Sequence, residues 1–394
     1  MELSKKAQKI SSSVTLAITA KAKKMKEEGI DVISFGAGEP DFNTPFNIQN
    51  AAIEAIKEGK TKYTPSSGIL ELKEAICDKL KKDNNLNYKP SQIVISNGAK
   101  HSLYNALFAI CNAGDEVIVP VPYWVSYPEL VKLVDAVPVF VETKEKNSFK
   151  YAKEDLEKAI TNKTKAIILN SPNNPTGTVY NKEDLEMISK IAIEKDLIII
   201  SDEIYEKLIY DDVKHISIAS LNDEIKKRTI IINGMSKAYS MTGWRIGYTA
   251  SEENIAAIMS NVQSHETSNP NSIAQYASVE ALKGPQDEIE KMRIEFQKRR
   301  NYMVDKINSI EGISCRKPEG AFYVMINISN IKNKIIKGHK IESSVDFCEA
   351  LLKEEKVAAI PGSGFGSDDY IRLSYATSME NIVEGLDRIQ NFLK

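Results

Sequence analysis

The chain of 394 residues is too long for one simple hydrophobic core, so its length favours two domains. Its hydrophobic content of 42% and charged content of 27% are typical of a soluble globular protein. A formal net charge of −2 argues against nucleic-acid binding, and no run approaches the roughly 20 apolar residues of a membrane span.

Four cysteines are present, and they are widely spaced with no C-x-x-C pair. They are Cys77, Cys111, Cys315 and Cys348. This spacing predicts neither disulfides nor a metal site, and it fits a reducing, cytoplasmic setting. The opening residues Met-Glu-Leu-Ser-Lys-Lys lead into no apolar core, so we expect no signal peptide.

The N-terminal segment, which we assign to residues 1–45, ends in a glycine-rich turn. Hydroxyl residues at 11–15 can cap a following helix, and a short strand is predicted at residues 32–35. The next residues, Gly-Ala-Gly-Glu-Pro-Asp-Phe, let the backbone approach a ligand closely, with Gly38 as the best candidate. A plain turn would produce the same pattern.

Two amphipathic helices are predicted next, at residues 48–58 and 70–82. The loop between them contains Tyr63 in a sequence too polar for a core position. This tyrosine is either a surface aromatic residue or a hydroxyl donor that reaches into a site.

Small residues follow the apolar strand predicted at residues 93–95. The sequence Ser-Asn-Gly-Ala-Lys-His leads from this strand into a helix at residues 103–110, and backbone N–H groups at such a helix start can bind an anion. The signal is weaker than a P-loop because Gly98 is its only glycine. After the next strand, at residues 117–119, Trp124 is either a stacking platform for a planar ring or a packed core residue.

Two later strands end in polar residues. The strand at 166–169 runs into Asn-Ser-Pro-Asn-Asn-Pro-Thr-Gly, which holds Asn174 between prolines, and the strand at 197–200 is followed by Asp202 and Tyr205. In an open α/β sheet, ligands bind at the carboxyl ends of the strands. A structural helix cap is the alternative role for Asp202.

Strands and helices alternate from about residue 92 to 250, which predicts an α/β fold with a mostly parallel sheet covered by helices on both faces. We assign residues 46–290 to this large domain and residues 291–394 to a smaller α+β domain that also packs with the N-terminal segment. The predicted elements of the smaller domain are strands at 313–316, 321–326, 357–360 and 370–375, helices at 344–354 and 379–392, and a solvated basic loop at 332–340.

The stretch from residue 229 to 248 contains the strongest candidate nucleophile. An apolar strand at 229–232 breaks into small and hydroxyl residues that surround Lys237. Burial of such a lysine would lower the pKa of its amine and make it nucleophilic. Taken alone, Lys237 could equally be an ordinary loop lysine, because the chain has 52 lysine and arginine residues.

Arg245 and Arg372 both lie in apolar, strand-like sequence. A largely buried guanidinium needs an anionic partner, and its planar fork suits a carboxylate or a phosphate. That partner is either a bound ligand or an internal Asp or Glu.

Together these side chains match one ligand, pyridoxal phosphate. An aspartate would keep its ring nitrogen protonated, the ring would then stabilise loss of the substrate Cα proton, and a lysine amine would move that proton. The matching groups are a phosphate cradle (Gly98, Ala99, Lys100 and Arg245), a ring stacker (Trp124), an amide (Asn174), a carboxylate with a phenol (Asp202 and Tyr205), an amine (Lys237) and a carboxylate clamp (Arg372).

Over essentially its whole length the chain resembles the class I/II, fold-type I pyridoxal-phosphate-dependent aminotransferases, most closely the bacterial aspartate aminotransferase branch. The order and spacing of the matching stretches make the resemblance specific. They are Ala37-Gly-Glu-Pro-Asp-Phe42, Lys62-Tyr-Thr-Pro-Ser-Ser-Gly68, Pro122-Tyr-Trp124, Asn170-Ser-Pro-Asn-Asn-Pro-Thr-Gly177, Ser201-Asp-Glu-Ile-Tyr205, Ser236-Lys237 with Thr242-Gly-Trp-Arg-Ile-Gly247, and Ile371-Arg-Leu-Ser-Tyr375.

The resemblance implies a role for each residue around the cofactor ring. Lys237 would carry the cofactor as a Schiff base and shuttle the proton. Asp202 would pair with the ring nitrogen, and Trp124 would stack on the ring. Tyr205 and Asn174 would hydrogen-bond the ring hydroxyl.

The resemblance also implies that residues of two subunits contact each phosphate, since members of the family are homodimers. Tyr63 would reach the phosphate of the neighbouring subunit. Several members carry a hydroxyl residue three positions before the lysine, where this chain has Gly234, so one contact would be missing. The remaining phosphate ligands would be Gly98, Ala99, Lys100, Ser236 and Arg245.

For the substrate, the resemblance implies that Arg372 clamps the α-carboxylate and that the backbone of Gly38 makes a contact. A dicarboxylic substrate needs a second cation, and Lys100, helped by two hydroxyl residues of the N-terminal segment, resembles the arrangement in this branch. Alternatively, Lys100 touches only phosphate or solvent. The two hydroxyl residues are Ser13 and Thr15, and the other substrate contacts would be Trp124 and Asn174.

The expected activity is transamination between L-aspartate and 2-oxoglutarate. The alternatives are an aminotransferase for aromatic amino acids or prephenate, and a carbon–sulfur lyase of the same fold. A transcriptional regulator built on an aminotransferase-like domain is not favoured, because only about 30 residues precede the first glycine turn.

Overall fold

The computed structural model describes residues 2–4, 7–11 and 14–394. The helices are α1 (Val14–Glu27), α2 (Phe46–Lys57), α3 (Leu70–Asn84), α4 (Ala99–Ile110), α5 (Ser126–Leu133), α6 (Lys153–Ala159), α7 (Lys182–Glu194), α8 (Asp223–Lys227), α9 (Glu253–Glu266), α10 (Ser272–Lys283), α11 (Asp287–Asn308), α12 (Ser344–Glu355) and α13 (Met379–Leu393). The strands are β1 (Ile33–Ser34), β2 (Ile93–Ser96), β3 (Glu116–Val121), β4 (Val137–Glu142), β5 (Thr164–Asn170), β6 (Ile198–Asp202), β7 (Thr229–Gly234), β8 (Gly247–Ala250), β9 (Ser314–Cys315), β10 (Tyr323–Asn327), β11 (Ile335–Ile336), β12 (His339–Lys340), β13 (Val357–Ala358), β14 (Ile360–Pro361) and β15 (Tyr370–Ser374). Within these described residues, none of the helices is both long and apolar enough to cross a bilayer.

In the described part of the chain, seven strands form a central sheet in the order β2-β8-β7-β6-β5-β3-β4. The neighbours from β7 to β4 are parallel, and β8 runs antiparallel to both of its neighbours. Side chains on both faces of β6 and β7 are buried, which explains why these strands are continuous apolar runs in the sequence. The predicted α/β fold with a mostly parallel sheet is confirmed.

The register of the parallel strands aligns their carboxyl ends. Asn170, the last residue of β5, pairs with Asp202, the last residue of β6. Asp202 in turn pairs with Ile232, two residues before the end of β7. The polar residues that follow these strands therefore meet at one edge of the sheet.

The C-terminal part contains a second, antiparallel sheet in the order β14-β15-β10-β9. β1 pairs in parallel with β13, so this strand of the N-terminal segment contacts the C-terminal part. The single strand predicted at residues 357–360 is wrong. It divides at Ala359 because β13 pairs with β1 whereas β14 pairs with β15. The domain boundaries at residues 45 and 290 stay predictions.

Several other elements differ from the predictions. Helices α5, α8 and α9 and the short strand β8 were not expected. α4 begins at Ala99, four residues earlier than predicted, which places Lys100 in its first turn. The basic segment 332–340 is not simply a solvated loop, since it contains the β11–β12 hairpin and Lys332 forms ion pairs with Asp368 and Asp369.

Candidate active site

A cavity of about 510 Å³ opens at the carboxyl edge of the central sheet. Its wall is formed by the turn after β1, by strand ends and helix starts of the sheet, and by β10 and β15. Gly98 precedes α4 and lies beside this wall. The predicted site residues that line the cavity are Gly38, Ala99, Lys100, Trp124, Asn174, Asp202, Tyr205, Ser236, Lys237, Arg245 and Arg372.

Besides Gly98, three predicted residues are not placed in the cavity wall. Tyr63 is 89% exposed and does not line the cavity within this subunit. Ser13 and the side chain of Thr15 lie outside the described residues, so their substrate contacts stay predictions.

Lys237 follows β7 by three residues and reaches into the cavity. Its Nζ donates a hydrogen bond of 2.6 Å to the backbone carbonyl of Gly38. Burial lowers the pKa of Lys237 to about 8, and the positive charges of Arg245 and Arg372 act in the same direction against the opposing effect of Glu39. Near pH 8 a large share of this amine is therefore neutral and able to act as a nucleophile or base.

We expect half-maximal acetylation of Lys237 by acetic anhydride near pH 8, because only the neutral amine reacts and its pKa is lowered from the ordinary value of 10.5. Labelling would be measured by mass spectrometry across pH on protein freed of small ligands. Lys227, which is exposed on α8, is the internal control for a lysine outside the cavity. Identical curves for the two lysines would contradict the perturbed pKa.

Asp202 is buried at the end of β6, where it accepts hydrogen bonds from the Tyr127 hydroxyl (2.7 Å) and from the backbone N–H of Ile204 (3.2 Å). Burial raises the pKa of Asp202 to about 6, although both hydrogen bonds oppose the rise. The carboxyl group is thus ionised at neutral pH. It is suited to hold a cationic group of a ligand.

Arg372 is 2% exposed and belongs to β15. Its guanidinium donates to the Asn174 side-chain oxygen (3.0 Å) and to the Gly36 carbonyl (3.4 Å), and it packs on the rings of Tyr323 and Phe365. Its Nε is buried without a hydrogen-bond partner. No carboxylate of residues 2–4, 7–11 or 14–394 forms an ion pair with it, so an internal salt bridge does not explain this charge. A buried, unpaired guanidinium in a cavity wall favours an anionic ligand.

The turn before α4 and the Arg245 side chain form a second cationic feature. The free backbone N–H groups in the first turn of α4 point out of the N-terminus of this helix. Arg245 donates hydrogen bonds to the carbonyls of Thr242 (2.8 Å) and Asn97 (3.3 Å). Gly98 has φ of +89°, and a Cβ there would collide with the Arg245 guanidinium. The positive φ therefore favours glycine at this position, and the absence of a side chain leaves room for the guanidinium, so the cradle suits a phosphate.

Gly234 has a structural reason to lack a side chain. A Cβ at this position would collide with the backbone of Ile246 and Gly247, because β7 and β8 pair closely there. The hydroxyl residue that other members of the resembled family carry at this point would not fit in this arrangement.

Trp124 lines the cavity, with Tyr127 packed edge-on against its ring at a centroid distance of 5.4 Å. The Lys100 Nζ lies 4.9 Å from the centroid of the Trp124 ring. Burial, together with the charge of Arg245, lowers the pKa of Lys100. Trp124 lines the cavity and also packs against the core cluster of the sheet, so its role as a stacking platform stays a prediction.

Sequence reasoning missed four residues of the site. Tyr127 holds Asp202, and the Tyr323 hydroxyl lies 3.1 Å from that of Tyr205. Thr242 donates a 2.6 Å hydrogen bond to Glu39, which also lines the cavity. These contacts join distant parts of the chain, and no local pattern in the sequence marks them.

Comparison with known proteins gives the same picture from an independent direction. The family model for aminotransferase class I and II matches residues 30–389. The aspartate aminotransferase of Bacillus subtilis is 53% identical over 395 residues, covering 100% of this chain and 99% of the relative. The aspartate/prephenate aminotransferase of Nitrosomonas europaea is 44% identical over 396 residues, with 100% of both proteins covered.

Among solved structures, the aspartate aminotransferase of Thermus thermophilus with maleate has a TM-score of 0.94 to this chain. The two sequences are 40% identical, and the alignment covers 100% of each chain. The likeness thus extends over the central sheet, the C-terminal part and the cavity between them.

Proposed function

This chain belongs to the class I and II aminotransferases, and from that premise we propose that it transfers the amino group of L-aspartate to 2-oxoglutarate, giving oxaloacetate and L-glutamate. We infer pyridoxal 5'-phosphate as its cofactor. The observation that carries the proposal is the unpaired guanidinium of Arg372 in the wall of the same cavity as the Lys237 amine. One cavity thus contains a guanidinium that can bind a carboxylate and an amine that can lose its proton.

The cavity residues fit each part of pyridoxal phosphate. The cradle of Arg245 and the α4 N-terminus suits the phosphate, and the buried carboxylate of Asp202 suits a protonated ring nitrogen. Trp124 offers a face for the ring, and Lys237 offers an amine for the aldehyde. The further contacts that we propose are the backbone of the turn formed by Gly98, Ala99 and Lys100, together with Ser236, for the phosphate, and Tyr205 and Asn174 for the ring hydroxyl.

When bound, pyridoxal phosphate supplies an electron-withdrawing ring that weakens the substrate Cα–H bond. Lys237 acts as the base that takes the Cα proton and later returns it, because its pKa of about 8 allows both forms near neutral pH. Asp202 stays ionised under these conditions and keeps the ring nitrogen protonated. Arg372 holds the α-carboxylate and so orients the Cα–H bond toward Lys237.

We propose that Lys100 binds the second carboxylate of a dicarboxylic substrate. Its Nζ lies in the cavity wall beside Trp124, and no carboxylate in the described ranges forms an ion pair with it. The relative from Thermus thermophilus was solved with maleate, which is a dicarboxylate. Ser13 and Thr15 are the proposed helpers of Lys100.

Lys100→Ala is expected to lower kcat/KM for aspartate by about 10-fold and to leave alanine almost unchanged, because only aspartate has a second carboxylate to bind. Each donor would be followed in its half-reaction without 2-oxoglutarate, since that acceptor is itself dicarboxylic. Lys100→Arg keeps the charge and is the matched control. An equal loss for alanine and aspartate would rule out this role.

A second candidate function is transamination of prephenate. The relative from Nitrosomonas europaea is named an aspartate/prephenate aminotransferase, and prephenate also carries two carboxylates. A panel of aspartate, aromatic amino acids and prephenate tested with the wild-type protein separates these activities. Steady oxaloacetate formation from aspartate and 2-oxoglutarate supports the proposal. Release of pyruvate, ammonia and a thiol from a cysteine thioether such as cystathionine, without an acceptor, would instead indicate a lyase.

We further propose a cytoplasmic homodimer in which Tyr63 completes the neighbouring site. Tyr63 is fully accessible in this subunit, and exposed apolar side chains lie on α2 and at the start of α3, close to it along the chain. Exposed apolar groups of this kind favour a protein interface. They are Phe46, Ile53, Ile56 and Leu70. The four cysteines are free, which fits a reducing compartment.

Mixing Tyr63→Ala and Lys237→Ala subunits is expected to give more activity than the two variants give separately. A hybrid dimer places both defects in one site and leaves the other with an intact lysine and an intact tyrosine. Activity would be measured after co-refolding or co-expression, alongside the solution mass by light scattering. A monomeric mass, or no gain in the mixture over the two separate variants, would contradict the shared site.

A further inference from the structure

We propose that His101 and Glu266 are positioning residues that fix the phosphate cradle and so set the affinity for the cofactor phosphate. This inference rests on the proposed function. Neither side chain lines the cavity. Both would therefore act through the turn between β2 and α4.

His101 lies in the first turn of α4, next to Lys100, with 13% of its side chain exposed. Its Nδ1 accepts a 3.2 Å hydrogen bond from the backbone N–H of Asn97. Because Nδ1 is an acceptor, the proton of the neutral ring is on Nε2, which lies 2.9 Å from a carboxylate oxygen of Glu266. The imidazole thus links the turn to the end of α9.

The residue held by His101 is the one that Arg245 contacts. The Asn97 carbonyl accepts a hydrogen bond from the Arg245 guanidinium, and the next residue, Gly98, packs directly against that guanidinium. Holding the N–H of Asn97 restrains the backbone of this residue, and with it the carbonyl that the Arg245 guanidinium contacts and the start of α4. Preorganised donors bind an anion more tightly than donors that must be ordered on binding.

Helix α9 is itself anchored at this place. One turn before Glu266, Gln263 is fully buried, donates to the Ile95 carbonyl (2.7 Å) and accepts from the Asn105 side chain (3.0 Å). Ile95 belongs to β2 and Asn105 to α4. These hydrogen bonds fix the end of α9, and they consequently hold the Glu266 carboxylate next to His101.

The test measures ligand affinity of the full-length apoprotein by quenching of tryptophan fluorescence, since Trp124 lines the cavity. His101→Leu is expected to weaken binding of pyridoxal phosphate by about 3- to 10-fold, as for loss of one or two hydrogen bonds. Binding of pyridoxal, which lacks the phosphate, is expected to be unchanged. Glu266→Ala is expected to give a smaller loss with the same selectivity.

Two further variants separate positioning from a general structural effect. His101→Asn places an amide oxygen near the Nδ1 position, so it is expected to restore most of the affinity for pyridoxal phosphate. His265→Leu makes the same chemical change as His101→Leu at the exposed neighbour of Glu266 and is expected to have no effect.

The inference is overturned if His101→Leu binds pyridoxal phosphate as tightly as the wild type. It is also overturned if both ligands weaken equally or if His101→Asn is as defective as His101→Leu. If His101→Leu does not fold, as judged by circular dichroism, the exposed Glu266→Ala variant is used instead. The proposal is refuted if Glu266→Ala binds pyridoxal phosphate without a selective loss of affinity. Failure of the wild type to bind pyridoxal phosphate would instead refute the proposed function.

Discussion

Replacing Lys237 with alanine is expected to lower kcat/KM for aspartate and 2-oxoglutarate by about 10²- to 10⁴-fold. This is the usual contribution of a positioned acid–base group. The lysine amine lies in the cavity, 2.6 Å from the Gly38 carbonyl, and its lowered pKa allows it to take up and release a proton. Alanine removes both the amine and the attachment point for an aldehyde.

The measurement couples oxaloacetate formation to its reduction by malate dehydrogenase. Borohydride reduction of the protein with pyridoxal phosphate, followed by mass spectrometry, should locate the added mass on residue 237 in the wild type and nowhere in Lys237→Ala. Lys227→Ala, at an exposed position on α8, is the matched control and should retain full activity. Full activity or an unchanged label in Lys237→Ala would show that another amine does this work.

Arg372→Leu is expected to lower kcat/KM for every amino-acid donor by about 30- to 4,000-fold, corresponding to about 2–5 kcal/mol for loss of a buried charge pair. All donors share the α-carboxylate that this guanidinium would clamp, so the loss should not depend on the donor side chain. This uniform effect distinguishes Arg372 from Lys100. The half-reactions of aspartate, alanine and phenylalanine would be compared.

The same substitution should leave the free energy of unfolding within about 1 kcal/mol of the wild type, because leucine removes a buried charge that has no ionic partner in the described structure. Urea unfolding checks this expectation. Arg372→Lys keeps the charge but loses the planar fork, so it should recover only part of the activity. A loss confined to dicarboxylic donors, or inactivity that merely follows unfolding, would contradict the clamp.

Much of the candidate site could be predicted because its residues follow strands. A continuous apolar strand that ends in a carboxylate, an amide or a lysine is a local pattern, and parallel pairing brings such ends together. Asp202, Asn174 and Lys237 were found in this way. Parallel register confirms the alignment of β5, β6 and β7.

Other parts of the site left no local pattern. Tyr127 meets Asp202 across 75 residues, and the chain has 16 tyrosines from which to choose. His101 meets Glu266 across 165 residues, and the end of α9 has no strong amphipathic pattern that would predict the contact. Such pairs depend on how helices and strands pack, which is a property of the whole chain.

The amino-acid sequence by itself determined the α/β class, which strands along the chain end in polar residues, and the set of residue types available to a cofactor. These follow from apolar periodicity and from turn residues, which act over a few positions of the chain. Only the tertiary structure decided that Arg372 has no carboxylate partner among the described residues, that Tyr127 holds Asp202, and that Gly234 must lack a side chain. Hydrogen bonds and steric contacts act over about 3 Å, so they depend on the register and crossing of segments that are far apart in sequence.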